Sequence, residues 1–290
     1  MEWMLGGIRR RIALTSELVA LPHTIFALPF ALMGMLLGAA GWPTIGKLVW
    51  IILAMVGART TAMSFNRIAD RRYDAENPRT RGRPLPSGRL GVAWAVGVLI
   101  SSCAVFLIAC WALGPVCLAL SPLALAIILG YSLTKRFTWG SHLFLGLSLA
   151  IAPAGAWVAV AGPLSLVPVL LSFAVICWTA GFDILYACHD VEFDRSRRLH
   201  SIPARFGIRT ALKISAALHL LMVVALIGMA ILAGLGAPFF AGLTLTAAVL
   251  VYEHRIVRAD DLSRLDLAFF TLNGWISVSL LLATVLDLAL

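Results

Sequence analysis

Apolar runs long enough to cross a bilayer follow one another from end to end of this 290-residue chain, and they leave it few ways to fold. Crossing about 30 Å of hydrocarbon takes roughly 20 apolar residues in helix. Stretches of that kind lie at 14–40, 45–70, 91–112, 115–133, 141–161, 165–188, 209–233, 237–256 and 266–289. Hydrophobic residues are 61% of the sequence and charged ones 13%, which is more apolar side chain than a soluble core of this size buries. The expected class is all-α and integral to a membrane, with nine transmembrane helices. Only Gly114 and Pro115 separate the third stretch from the fourth.

Charge tests that count. A net charge of +9 would suggest nucleic acid as the partner of a soluble chain. In a membrane protein the excess has another cause, because cytoplasmic loops collect Lys and Arg. With nine spans, the N-terminus and the even-numbered loops share one side, and 20 of the 23 Lys and Arg fall there. Lys47 sits opposite, while Arg59 and Arg67 lie within the second stretch. The N-terminus is therefore expected in the cytoplasm and the C-terminus outside, with no nucleic-acid partner. Trp42 and Trp111 fall near outer ends, and Trp3, Trp94 and Trp139 near inner ends, as interfacial anchors do. The opening MEWMLGGIRRRIALTSEL reads as a cytoplasmic lead-in, not a removable signal peptide. All five cysteines fall in or beside apolar segments without zinc or disulfide spacing.

Two acidic clusters interrupt this pattern. Asn66, Asp70 and Asp74 end the second stretch; Asp183, Asp190 and Asp194 end the sixth. A carboxylate near hydrocarbon costs about 2.5–3.5 kcal/mol on insertion scales, so it usually marks function. Residues four apart share a helix face, which stacks each cluster along one stripe. The charge pattern places both at the cytoplasmic side of the membrane. Hard oxygen donors of this kind select Mg²⁺, which favours a few carboxylates plus phosphate oxygens over an all-protein cage. Each cluster is followed by a basic loop, NPRTRGRPLPSG or RSRRLHSIPARFG. Arg83, Lys135 and Arg198 are the favoured contacts to a diphosphate. Positive-inside bias also explains arginines in such loops, and any single Asp here also reads as a solvated cap or half of an ion pair, as for Asp74 beside Arg71 and Arg72.

These segments resemble the UbiA superfamily of intramembrane aromatic prenyltransferases. NRIADRRYD at 66–74 is similar to its NDxxDxxxD motif, with Arg67 where the family often has Asp. RTRGRPLPSG ending at Gly88 is close to RTxxRPLPSG, YSLTK at 131–135 to YxxxK, and DILYACHDVEFD at 183–194 to DxxYAxxDxxxD. HTIFALPFAL at 23–32 looks most like the quinone-pathway branch, which includes 4-hydroxybenzoate enzymes and a naphthoate enzyme of menaquinone synthesis. The resemblance implies one domain over 1–290, with pseudo-repeated halves at roughly 14–133 and 141–256 plus a ninth helix. It also implies a central cavity open sideways to lipid. A polyprenyl diphosphate enters there and alkylates a small aromatic acid. Two Mg²⁺ ions are implied, held by Asn66 and Asp70 with Asp74 on one side and by Asp190 and Asp194 on the other. Lys135, Tyr131, Arg83 and Arg198 stabilise the departing diphosphate, so Asp70, Asp190, Asp183 and Lys135 are the expected catalytic set. Asp183, His23 and Arg59 are candidates for the acceptor side. Asp183 reads equally as an acid paired with Lys135 or Arg136, and His23 as a packed histidine. Phe26, Phe30 and Trp178 suit a prenyl tunnel, or packing. Two rivals are weighed: an ion-coupled transporter, which would place acids near the midplane, and a CDP-alcohol phosphotransferase, whose DGxxAR-type element is missing.

Overall fold

The computed structural model describes residues 2–20 and 24–290. Among these the only strand-like feature is an isolated bridge, Arg258 to Asp261. The long helices are α2 (Thr24–Ala39), α3 (Ile45–Ala69), α5 (Val92–Leu113), α6 (Pro115–Thr134), α7 (Ser141–Ala161), α8 (Leu166–Ala187), α11 (Ile208–Ala233), α12 (Ala237–Ile256) and α13 (Asn273–Ala289). The remaining helices are α1 (Glu2–Leu18) and three short ones, α4 (Arg71–Glu76), α9 (Val191–Ser196) and α10 (Ile202–Phe206). Among the described residues, seven stretches are long and apolar enough to cross a bilayer: α3, α5, α6, α7, Leu166–Ser196, α11 and Leu267–Ala289. The apolar part of α2, Phe26–Ala39, is shorter, and α12 ends in Glu253, His254 and Arg255.

The expected first span, 14–40, is not one helix. Its first residues belong to α1, which stops at Leu18. Arg59 of α3 donates to the carbonyls of Val19 (2.9 Å) and Ala20 (2.8 Å), and Arg67 donates to that of Leu18 (3.4 Å). A helix end leaves carbonyls without partners, and these two arginines satisfy them. By contrast, the break at Gly114 falls where the sequence places it. Gly114 has φ +128°, a conformation L side chains avoid, and Pro115 opens α6 with its ring pre-set for a first helical turn.

The helices close into a ring. Contacts run from α3 through α6, α7, α8, α11, α12, α13 and α2 back to α3, and α5 packs against α3 and α6 from outside. α2 also crosses to α7, and the approach is close because Gly34 faces the backbone of Pro153. The core lies inside this ring, with Phe26, Phe30, Trp178, Met222, Leu226 and Phe239 buried together. Ile100, Ile108, Leu123, Leu220, Val224 and Ile231 are exposed on the outer faces of α5, α6 and α11. Apolar surface on that scale needs a lipid partner, and the protein is integral to a membrane.

Candidate active site

Two helix breaks build the site, and they repeat each other. Asp70 closes α3 and opens α4 at φ −92°, ψ 5°. Asp190 ends the 3₁₀ turn Cys188–Asp190 and opens α9 at φ −106°, ψ 11°. Both occupy the sparsely populated bridge region common at active sites. Each break redirects the chain into a six-residue helix carrying a second acid, Asp74 or Asp194, and both of these are buried.

Every one of these four acids meets a different cation. Arg136 lies 3.3 Å from Asp70, which also accepts from Asn66 at 3.0 Å. Arg83 pairs with Asp74 at 2.8 Å, and Lys135 with Asp194 at 2.8 Å. Asp190 takes both Nε (3.1 Å) and Nη2 of Arg79 and the amide of Asn77 at 3.0 Å. Burial works against the charge of Arg79, but the hydrogen bond and charge of Asp190 outweigh it and raise its pKa above the ordinary value. Asp183 is held instead by His142, with Nδ1 and Oδ2 2.6 Å apart. Neither Lys135 nor Arg136 pairs with Asp183, so that expectation is corrected.

Asn66, Asp70, Asp74, Tyr131, Lys135, Arg83, Asp183, Asp190 and Asp194 line a single cavity of about 240 Å³. Five aspartates face it, balanced by Arg67, Arg79, Arg83, Lys135 and Arg136. Another cavity, of about 410 Å³ under Arg10, Arg89 and Trp94, has no carboxylate in its walls. Two expected residues do not join the site. Arg198 follows the end of α9 with φ +54°, and that left-handed turn leaves it exposed and outside the lining. Arg59 is also outside the lining, its guanidinium spent on the carbonyls of Val19 and Ala20 just past α1. His23 lies outside the described residues.

The structure adds Asn77, Arg79, His142 and Tyr186 to the cavity wall. Asn77 and Arg79 sit in the basic loop already singled out, and Arg79 falls with Arg83 on the fixed arginines of RTxxRPLPSG, a signal that could have found it. Tyr186 was visible as the tyrosine between Asp183 and Asp190; Arg79 stacks over its ring at 5.0 Å. Phe269 stacks on it 4.1 Å away, with His189 and Phe270 set edge-on. From Phe269 rings continue through Phe182 and Phe26 to Trp178 and Phe30. Phe26, Phe30 and Trp178 are fully packed core, not an open tunnel wall.

Donor chemistry suits a hard divalent cation. Asp74 Oδ2 is buried without a hydrogen-bond partner, and such an oxygen is one a cation satisfies. Among the described residues no three of His, Cys, Asp and Glu close on one point. The acids stand in two groups, an arrangement matching metal shared with phosphate oxygens better than a protein cage.

Fold and site together define a helical membrane enzyme with an acid- and arginine-lined polar pocket at helix ends. Residues 27–275 match the family model of the UbiA prenyltransferase family. A 4-hydroxybenzoate octaprenyltransferase of Marinobacter nauticus is 32% identical over 254 residues, covering 87% of this chain and 86% of the relative. One from Vibrio parahaemolyticus is 29% identical, covering 93% and 92%. Among solved structures, a UbiA homologue from Aeropyrum pernix superposes with a TM-score of 0.83 at 36% identity, over 91% of this chain and 98% of that one. A homologue from Archaeoglobus fulgidus bound to DMAPP and Mg²⁺ shares the fold, with a TM-score of 0.72 at 20% identity over 95% and 99%. The chain belongs to the UbiA prenyltransferase family and is a prenyltransferase. The transporter reading falls with that result.

Proposed function

We propose that this protein transfers a prenyl group from a polyprenyl diphosphate to a small aromatic acid of the 4-hydroxybenzoate kind, with Mg²⁺, in quinone biosynthesis. The observation that carries the reading is the pairing of two acid-bearing helix breaks with four cations around one cavity. A diphosphate alone would unbalance five aspartates against five cations, but a diphosphate entering with Mg²⁺ would not. The chain's own ion pairs then exchange partners. Asn66, Asp70 and Asp74 on one wall, with Asp190 and Asp194 on the other, would hold the metal. Lys135, Arg79, Arg83, Arg136 and the Tyr131 hydroxyl are freed to bind phosphate oxygens and stabilise their growing negative charge. When bound, Mg²⁺ supplies Lewis-acid help to the departing diphosphate. Asp183 orients the acceptor and takes the proton its ring loses. The octaprenyltransferase relatives favour hydroxybenzoate as acceptor; dihydroxynaphthoate in menaquinone synthesis is the alternative.

The charge pattern extends this reading to nine spanning helices in two similar halves, with the N-terminus and the pocket on the cytoplasmic side. The repeated break at Asp70 and Asp190 supports the halves. The test is the protein in liposomes with labelled prenyl diphosphate and a panel of aromatic acids. Transfer to one of them, abolished by EDTA and in Asp70→Ala and Asp190→Ala, is expected. Full turnover in EDTA, or an active double variant, overturns the proposal.

A further inference from the structure

His142 is fully buried at the start of α7, and nothing in the proposed reaction uses it directly. Its two ring nitrogens are both engaged. Nε2 lies 3.2 Å from the backbone N–H of Ile202, and an N–H only donates, so Nε2 carries a lone pair. The ring proton is therefore on Nδ1, which donates to Asp183 Oδ2 at 2.6 Å. This tautomer leaves His142 no free nitrogen with which to accept a proton from substrate. It does hold the Asp183 carboxylate by one oxygen. Asp183 has no other hydrogen-bond partner among the described residues, and its side chain is 27% exposed in the cavity wall. The second oxygen accepts no hydrogen bond from the described residues.

Ile202 follows Ser201, whose hydroxyl donates to Asp194 Oδ2 at 2.8 Å and accepts from Ala204 N–H. One turn of chain, Ser201–Ile202, thus reaches two acids of the site: Asp194 directly and Asp183 through His142. The turn is itself tied to Lys135, whose carbonyl accepts from His200 N–H at 2.7 Å.

We infer that His142 is a positioning residue that fixes the Asp183 carboxylate for proton removal from the acceptor ring, with the Ser201–Ile202 turn as its anchor. The inference rests on the prenyl-transfer reading of this pocket. As the carbon–carbon bond forms at the ring, the carbon–oxygen bond to diphosphate breaks and its electron pair leaves with the diphosphate. The ring C–H proton passes to the unbonded oxygen of Asp183, and its electron pair restores aromaticity. His142 keeps its proton throughout.

The test exploits the two-sided bonding. Gln at position 142 offers an N–H for Asp183 and a carbonyl for Ile202, whereas Leu fills the space and offers neither. Acceptor prenylation is measured in liposomes, with KM for the prenyl diphosphate measured separately. His142→Gln is expected to keep most of the wild-type turnover. His142→Leu is expected to lose roughly 100-fold in kcat, as a slight misplacement of a reacting group does, with KM for the diphosphate substrate unchanged. Should His142→Leu not accumulate in membranes, Asp183→Asn carries the test, because the amide oxygen still accepts from His142 but cannot take the proton. The same kcat loss at unchanged KM is expected. Equal turnover in the Gln and Leu variants, or a loss confined to prenyl diphosphate KM, overturns the inference alone; a fully active Asp183→Asn overturns it together with the proton-accepting role of Asp183, leaving prenyl transfer itself standing. A wild-type protein that prenylates no aromatic acid overturns the parent reading with it.

Discussion

Asp190 accepts three hydrogen bonds, whereas Asp74 accepts one and keeps a buried oxygen unpartnered. The difference traces to Arg79, a planar fork set by its own loop: Asn77 Oδ1 accepts from Arg79 N–H at 2.9 Å and bends the chain there. Lysine has no fork and cannot reach both Asp190 oxygens at once. Once the pair exchanges partners, Arg79→Lys also lacks the fork toward the diphosphate oxygens, a loss of about 1.5–3 kcal/mol of charge-assisted bonding, seen as a roughly 10- to 150-fold fall in kcat/KM. Equal kcat/KM in the variant would show that Arg79 does not bind the diphosphate. Arg83 and Lys135 were legible as candidates because each stands in a recognisable motif. Arg79 opens the same motif as Arg83 and was passed over for Arg198, since positive-inside bias supplies arginine to both loops. Only the backbone turn at Arg198 removes it from the cavity wall.

At the scale of elements, close helix approach holds the acid-bearing α8 in place. A Cβ at Gly146 of α7 would stand 2.6 Å from the carbonyl oxygen of Ile176 in α8, and backbone cannot swing aside. Gly146→Ala should destabilise by about 1–3 kcal/mol, as overpacking does, lowering the thermal midpoint in detergent. Gly97 of α5 meets nothing, so Gly97→Ala should leave the midpoint unchanged or raise it, by up to ~1 kcal/mol of helix propensity. A polar bridge fastens the other side of α8. Trp178 Nε1 donates to Asn273 Oδ1 at 2.6 Å, and Asn273 Nδ2 donates to the Ala268 carbonyl at 2.9 Å. Asn273→Leu leaves the indole N–H buried and unpaired, a cost of about 1–3 kcal/mol, again read as a lower midpoint. The periodic spacing of apolar residues cannot reveal such contacts, because Gly, Trp and Asn at these positions all read as ordinary helix.

For the whole molecule, the proposed nine-span topology, which would put 20 of 23 Lys and Arg on one side, gives a checkable orientation. Arg81 and Leu164 are both exposed, the first in the loop after α4 and the second in the short link between α7 and α8. An impermeant maleimide should label Leu164→Cys in intact cells and Arg81→Cys only in inverted vesicles. The opposite pattern would reverse the proposed sidedness. The ring of helices has a second consequence. α3 and α8 are not in direct sequence, yet the closure through α6 and α7 brings their acid-bearing ends to one cavity.

Helix content, membrane residence and the acid motifs followed from the sequence alone, because each depends on local composition: apolar length, the side on which charge collects, and the four-residue spacing of carboxylates. The break between α1 and α2 did not, since it depends on Arg59 and Arg67 reaching carbonyls some 40 or more positions away. The pairing of each aspartate with its own cation, and of His142 with Asp183, was likewise decided by tertiary structure. A hydrogen bond requires two groups within about 3 Å, and only the closed helical ring brings these side chains that near.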